Sequence, residues 1–399
     1  MPDSFKNFFK TYHFKFYLFL ILIFSILFLS QKFLYPTDWT TSEWLINYQG
    51  GFVRRGLIGE LLYQIHNLSG IQLRYLVFYF EIMILIFFLI LIYNFLKDIS
   101  LDQLTIFLFF SPILLLFPLA ENEVLVRKEY LLFSIYIIYL NLLLANNRLF
   151  YLVILVCLPV MNLVWDGMIF YIYFFSFSFF FKKEILTKEI KYLVYSHIPY
   201  FISLYFIIYA KSNPVGFDQM CLSINEACFG AMLALDKSLL WNINYVLSRF
   251  EFTYLIRYFF VILLCFSPII IFSYTDALKI KIKNFEIRKP FFLINLILIF
   301  SIFLFMLIGY DWGRWINIGY FFSIFTFFFL IKNKNINIKK NYFFQKIQNF
   351  SKYYPTYFYS IFFIYVFSWN MKAIMTDDLG SVPYYRVVTK ALKVLSSSF

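Results

Sequence analysis

Apolar runs recur along nearly the whole chain, and they leave it few ways to fold in water. They lie near residues 16–35, 75–96, 103–120, 130–146, 149–165, 168–181, 192–210, 254–274, 290–309, 316–332 and 355–372. A helix needs about 20 largely apolar residues to cross the hydrocarbon core of a bilayer. Several windows are shorter, and the pair flanking Trp165 and Asp166 suits a re-entrant hairpin as well as two spans. Of the 399 residues, 62% are hydrophobic and 14% charged, whereas a soluble domain carries about 25% charged residues. The expected fold is therefore all-α: a polytopic helical integral membrane protein with about 11 transmembrane helices and extracytoplasmic loops carrying short helices. No long polar stretch remains for a second folded unit, so residues 1–399 are expected to form a single transmembrane domain. The first apolar run follows lysines, as in a signal peptide. It is too long for one and lacks a small-residue cleavage site, so it is expected to stay as the first span.

Lysine and arginine in short loops orient such a protein. With the N-terminus in the cytoplasm, roughly 20 of the 35 basic residues fall in inside loops, against about 7 of the 22 acidic ones. The net charge of +13 is then a topological signal. It is spread over connectors between spans and not gathered into a groove, which argues against nucleic acid as a partner. An odd number of spans places the C-terminal tail, 373–399, outside, where its YYRVVTKALKVL stretch suits the membrane interface.

The outer loops differ in kind, being richer in Asp, Glu, Arg, Trp and Gly. The first, 36–73, carries Asp38 and Glu43 beside Trp39 and Trp44, then NYQGGFVRRGLIGE with Arg54 and Arg55. Thr41 is expected to cap a short helix here, and FVRRGLIGELLYQI to form a re-entrant or interfacial one. A guanidinium fork binds phosphate oxygens two at a time, so Arg54 and Arg55 suit a phosphate-bearing substrate; anchoring to lipid phosphates is the blander alternative. The ENEVLVRKEY loop packs Glu121, Glu123, Arg127, Lys128 and Glu129 between two apolar runs. Such charges near a bilayer face a cavity or one another. Asp166 is either a cavity carboxylate or a helix cap, and Glu81, inside the second span, needs a partner such as Arg74. In GYDWGRWINIGY, Asp311 and Arg314 are spaced to pair on a helix, with Trp312 and Trp315 beside them. The large loop 211–253 holds Cys221 and Cys228, the cysteines outside the apolar runs, which an oxidising compartment would let pair.

No Walker loop, dinucleotide fingerprint or nucleophile elbow is present, and no Cys or His spacing resembles a zinc site. His13, His66 and His197 are scattered, with His66 a minor catalytic candidate. No internal repeat is evident, unlike many secondary transporters.

The many-span plan with an inside N-terminus, the INYQGGFVRRGLIGE segment and the GYDWGRW segment together resemble the membrane proteins of bacterial surface-polysaccharide clusters. The nearest group is the O-antigen polymerase (Wzy-type) family, with the related GT-C glycosyltransferases. The resemblance implies glycosyl transfer at the periplasmic face of the bacterial inner membrane, using undecaprenyl-pyrophosphate-linked sugars. It most directly implies polymerisation of O-antigen or related lipopolysaccharide repeat units. The long Arg-rich paired loops of some members are not evident, so another lipid-donor transferase, or a flippase for the lipid-linked oligosaccharide, stays open. The implied partners are the undecaprenyl-pyrophosphate-linked oligosaccharide, membrane lipids, a chain-length regulator and a flippase, with no cofactor.

The corresponding mechanism needs a base for the acceptor hydroxyl and cations for the departing pyrophosphate. Asp38, Glu43 and Asp311 are the catalytic candidates, with Asp38 or Glu43 favoured as base. Arg54, Arg55, Arg127, Lys128, Arg314, Trp312 and Asp166 are the substrate-binding candidates, Arg54 and Arg55 forming the pyrophosphate clamp.

Overall fold

The computed structural model describes residues 12–34, 39–100, 102–182, 187–209, 214–237, 239–282, 285–376 and 383–397. Most of it is helix, and among the described residues the strands are one antiparallel hairpin, Lys279–Ile282 with Phe285–Arg288. Among the described residues, five helices are long and apolar enough to cross a membrane: Tyr12–Leu34, Leu73–Leu96, Phe252–Thr275, Pro290–Ile308 and Trp312–Lys332. Shorter apolar helices span Glu129–Leu144, Phe150–Val164 and Pro355–Phe367.

Burial separates the five long helices. The best window of Trp312–Lys332 is 89% buried, while the other four lie between 33% and 44%. The four peripheral helices keep an apolar face outward, as lipid-exposed helices do, and Trp312–Lys332 forms the core. Polar groups in that core find internal partners, as hydrocarbon requires. Tyr136 Oη bonds Ser178 and Thr326, and Ser323 donates to Asn295 Oδ1 at 2.5 Å.

Of the eleven expected spans, those near 130–146, 149–165 and 355–372 give the shorter apolar helices, and two others are broken or shorter still. The window near 103–120 is a helix at Gln103–Phe109, a turn, then four helical residues at Phe117–Ala120. Buried carbonyls at this break are met by the core helix. Asn317 donates to the carbonyls of Ile113 and Leu114, and Tyr320 Oη to that of Leu108 at 2.7 Å. The window near 168–181 holds only the eight-residue helix Tyr173–Phe180, entered through a 3-10 turn at Asp166–Phe170.

The helices define two ends. At the far end, Lys332 donates to Phe95 O, and Asn333 and Asn335 to Phe181 O. At the near end, Lys32 donates to Thr40 Oγ1 and to Asn122 O. The amphipathic tail helix Pro383–Ser397 also lies at the near end. Arg386 pairs with Glu121, and Lys390 donates to Ala120 O and Asn122 Oδ1.

The first loop is locked by its glycines and one carboxylate. Glu60 accepts from Tyr48 N at 2.9 Å and from Gln49 and Gln64 side chains. This draws residues 44–48 onto the helix Leu57–Ser69, where a Cβ on Gly59 would stand 1.9 Å from Ile46 O. Gly59→Ala is therefore expected to disrupt the loop, because the clash is with backbone. Thermal unfolding in detergent should show a marked drop, while Gly70→Ala, with open space but a positive φ of 71°, should cost far less.

Two local expectations are corrected. Thr41 lies inside the helix Trp39–Trp44 and so does not cap it. Arg74 pairs with Glu226 and donates to Phe33 O, so its acidic partner is on the large loop and not Glu81.

Candidate functional site

At the near end, four segments bring charged side chains into one ion network. The helix Trp39–Trp44 supplies Glu43, and the turn after it supplies Arg54 and Arg55. The 121–130 segment supplies Arg127, Lys128 and Glu129, the 3-10 turn supplies Asp166, and the start of the core helix supplies Asp311 and Arg314. Backbone contacts fix the first two segments together. Trp44 Nε1 donates to Val126 O at 3.0 Å, and Trp39 N to Glu123 Oε2 at 3.3 Å.

Glu43 is the centre. It is 0% exposed, and its Oε2 accepts from Arg127 Nε at 2.7 Å. Its Oε1 stands 3.8 Å from Arg55 Nη1 and 3.6 Å from Arg314 Nη2, distances for ion pairing and not for hydrogen bonding. Arg314 also pairs with Glu129, and with Asp311 Oδ2 at 2.9 Å. Arg127 Nη1 reaches the same Asp311 oxygen at 3.7 Å. Arg55 grips Asp166 Oδ1 through Nε and Nη2, both at 2.6 Å, while Arg54 Nη1 approaches Asp166 Oδ2 at 3.4 Å. Lys128 Nζ donates to Arg55 O at 2.5 Å and lies 5.8 Å from the Trp44 ring centroid.

Exposure divides this network into a floor and a rim. The side chains of Glu43, Glu129, Arg127 and Arg314 are 0–6% exposed, whereas Arg54 is 36%, Asp311 30%, Arg55 27% and Asp166 17%. The floor is tightly paired, and the rim is where a ligand can arrive.

Protonation follows from this arrangement. Burial opposes charge on Glu43, but Arg127, Arg314, Lys128 and Arg55 outweigh it and hold the carboxyl well below its usual range. Asp166 is likewise held low: burial opposes its charge, and Arg55 and Arg54 overcome it. Burial pushes the Lys128 ammonium down to about 7, against the pull of Glu43.

Strained backbone adjoins the charges. Arg55 has φ +68° and Val126 φ +50°, both in the left-handed region. For a β-branched residue such as Val126 this is an outlier, and such strain gathers at working sites.

The sequence-derived candidates fall into three groups. Glu43, Arg54, Arg55, Arg127, Lys128, Asp166, Asp311 and Arg314 are brought together. Asp38 lies outside the described residues. Trp312 is 2% exposed, its indole N–H donates to Met306 and Gly309 carbonyls, and its ring packs on Tyr258; it belongs to the core and not to the rim. Of the acidic candidates described, Glu43 is enclosed and firmly ionised, whereas Asp311 is 30% exposed.

Two features went unassigned in the sequence. Glu129 is a principal partner of Arg314; its place between two basic residues and an apolar run was the available signal. Next to Asp311, an aromatic row runs from Tyr310 to Tyr245 and Trp241 on the helix Leu239–Arg249. The Tyr310 and Tyr245 centroids are 5.7 Å apart, and Tyr245 and Trp241 stack at 5.1 Å and 10°. Arg249 lies 5.8 Å from the Tyr245 centroid, and Trp241 is exposed.

Cys221 and Cys228 are bridged, closing a seven-residue separation in the same large loop. That loop carries Glu226, the partner of Arg74. Among the described residues, no group of three or more His, Cys, Asp or Glu side chains is placed to hold a metal ion. No protein-family model, curated protein or solved structure matches the chain.

Proposed function

We propose that this chain is a membrane-embedded glycosyltransferase working on polyprenyl-pyrophosphate-linked sugars at the extracytoplasmic face of a bacterial inner membrane. Joining of surface-polysaccharide repeat units is the activity we assign to it. The observation that carries the reading is the partly exposed rim of Arg54, Arg55, Asp166 and Asp311 above a buried floor of ion-paired side chains. A chain that needed these charges only for stability would have no reason to leave one loosely held guanidinium and one carboxylate open at the same end.

The topology proposed has eleven crossings with the N-terminus in the cytoplasm. The first helix begins at the far end, and the tail helix packs at the near end, so an odd number of crossings supports it. The lysine-rich connectors then face the cytoplasm, as the positive-inside rule asks.

In the step proposed, an acceptor hydroxyl attacks the anomeric carbon of the lipid-linked donor. A new C–O bond forms, and the bond to the pyrophosphate oxygen breaks with its electron pair leaving on the pyrophosphate. Asp311 takes the hydroxyl proton. Arg54 receives the developing charge, since it makes one long contact to Asp166 and its other donors are uncommitted to that carboxylate. Arg55 is engaged on both edges, so it positions Asp166 and Arg54. The aromatic row beside Asp311 offers flat apolar faces, which the C–H face of a sugar ring covers well.

Deletion of the gene from a cell that makes a lipid-linked glycan tests this. The expected phenotype is loss of long glycan with lipid-linked single units accumulating on the outer leaflet. Accumulation on the cytoplasmic leaflet would show a flippase instead, and unchanged chain length would exclude both.

A further inference from the structure

We infer that the far end of the molecule carries a separate site for the headgroup of an anionic phospholipid, between the helices Phe150–Val164 and Thr187–Tyr209. This stands apart from the proposed transferase activity and from the charged rim. The site is a cavity of about 440 Å³, lined by Arg148, Tyr151, Leu155, Lys188, Glu189, Tyr192, Tyr195 and Ser196.

Its chemistry is graded. At the mouth are Arg148 and Lys188, both exposed and neither in an ion pair among the described residues. The acidic lining residue, Glu189, is already neutralised, because Lys182 Nζ reaches its Oε1 at 2.8 Å. Lys182 in turn lies 5.7 Å from the Phe150 centroid, which keeps that pair against the wall. The mouth therefore keeps two positive charges for a ligand. One wall is built from Tyr151 and Tyr192, 6.1 Å apart and edge to face, with Tyr151 Oη donating to Glu189 O at 3.3 Å. Leu155 lies one turn beyond Tyr151, in an exposed apolar band that includes Leu152 and Val156.

A soluble phosphate would need only the cationic mouth. A phospholipid needs a cationic mouth opening onto an apolar, lipid-facing strip, and the cavity has both. Basic pockets between transmembrane helices on the lysine-rich side hold anionic headgroups for this reason. Arginine contributes a fork for phosphate oxygens, and lysine a point charge.

Native mass spectrometry of the full chain in neutral detergent, with equal phosphatidylglycerol and phosphatidylcholine of matched acyl chains, tests this. The wild type is expected to retain phosphatidylglycerol about tenfold over phosphatidylcholine, and Arg148→Gln with Lys188→Gln to abolish that preference. The exposed Lys352→Gln should leave it intact. Three results overturn the inference: equal retention of both lipids by the wild type, an unchanged preference in the double variant, or an equal loss in Lys352→Gln. Displacement of phosphatidylglycerol by millimolar inorganic phosphate also overturns it, since the source is then a free phosphate.

Discussion

Glu43→Gln is expected to destabilise the protein more than any other single change in the charged network. The substitution keeps the shape and removes the charge that Arg127, Arg55 and Arg314 share. Breaking a buried ion pair from one side leaves uncompensated charge, at a cost on the order of 3–5 kcal/mol. The variant should therefore unfold at a clearly lower temperature in detergent and accumulate poorly in membranes. The effect has a defined pH dependence. Because the folded protein holds the Glu43 carboxyl well below its usual range, its contribution is complete above the unfolded value of about 4.3. It is lost progressively as pH falls below that value. The difference in melting temperature between wild type and Glu43→Gln should thus be constant from neutral pH down to about 5 and narrow below about 4. A gap that widened on acidification would contradict the assigned ion pairs.

Arg54→Ala should have the opposite character: little effect on stability and a large one on activity. Its side chain is 36% exposed and makes a single 3.4 Å contact with Asp166, so its removal strips little from the fold. Loss of a group that stabilises a developing anion costs about 10²–10³ in turnover. Asp311→Asn should also fold, since Arg127 and Arg314 keep Glu43 and Glu129, and it should lose about 10²–10⁴ if Asp311 is the base. Arg55→Ala is predicted to lose both activity and stability, because its guanidinium bridges Asp166 and Glu43. A stable, active Arg54→Ala would move the ligand elsewhere on the rim.

The contrast between these residues marks what the sequence carried. Each charged group stood out because charge beside long apolar runs is costly. Their pairing did not, since the partners are far apart in the chain: 73 residues separate Lys128 from Arg55, and 185 separate Arg314 from Glu129. Nor did their division into floor and rim. Glu43 and Asp311 are both acidic residues next to tryptophans, yet one is enclosed by four cations and the other is 30% open. The long spans were legible because hydrocarbon permits only long apolar helix. The break at residues 110–116 was not, because the groups that make it tolerable, Asn317 and Tyr320, come more than 200 residues later. The row of Tyr310, Tyr245 and Trp241 was hidden for a different reason: tryptophan and tyrosine are enriched at any membrane interface.

Reconstituted protein supplied with a polyprenyl-pyrophosphate-linked repeat unit gives the most direct test of the central claim, that the rim transfers glycan from a lipid pyrophosphate. The wild type should lengthen the lipid-linked glycan and release one polyprenyl pyrophosphate for each unit joined. Arg54→Ala and Asp311→Asn, folded to the same melting temperature, should do neither at a comparable rate. Full elongation by both variants, or no elongation by the wild type with donor bound, would contradict the account.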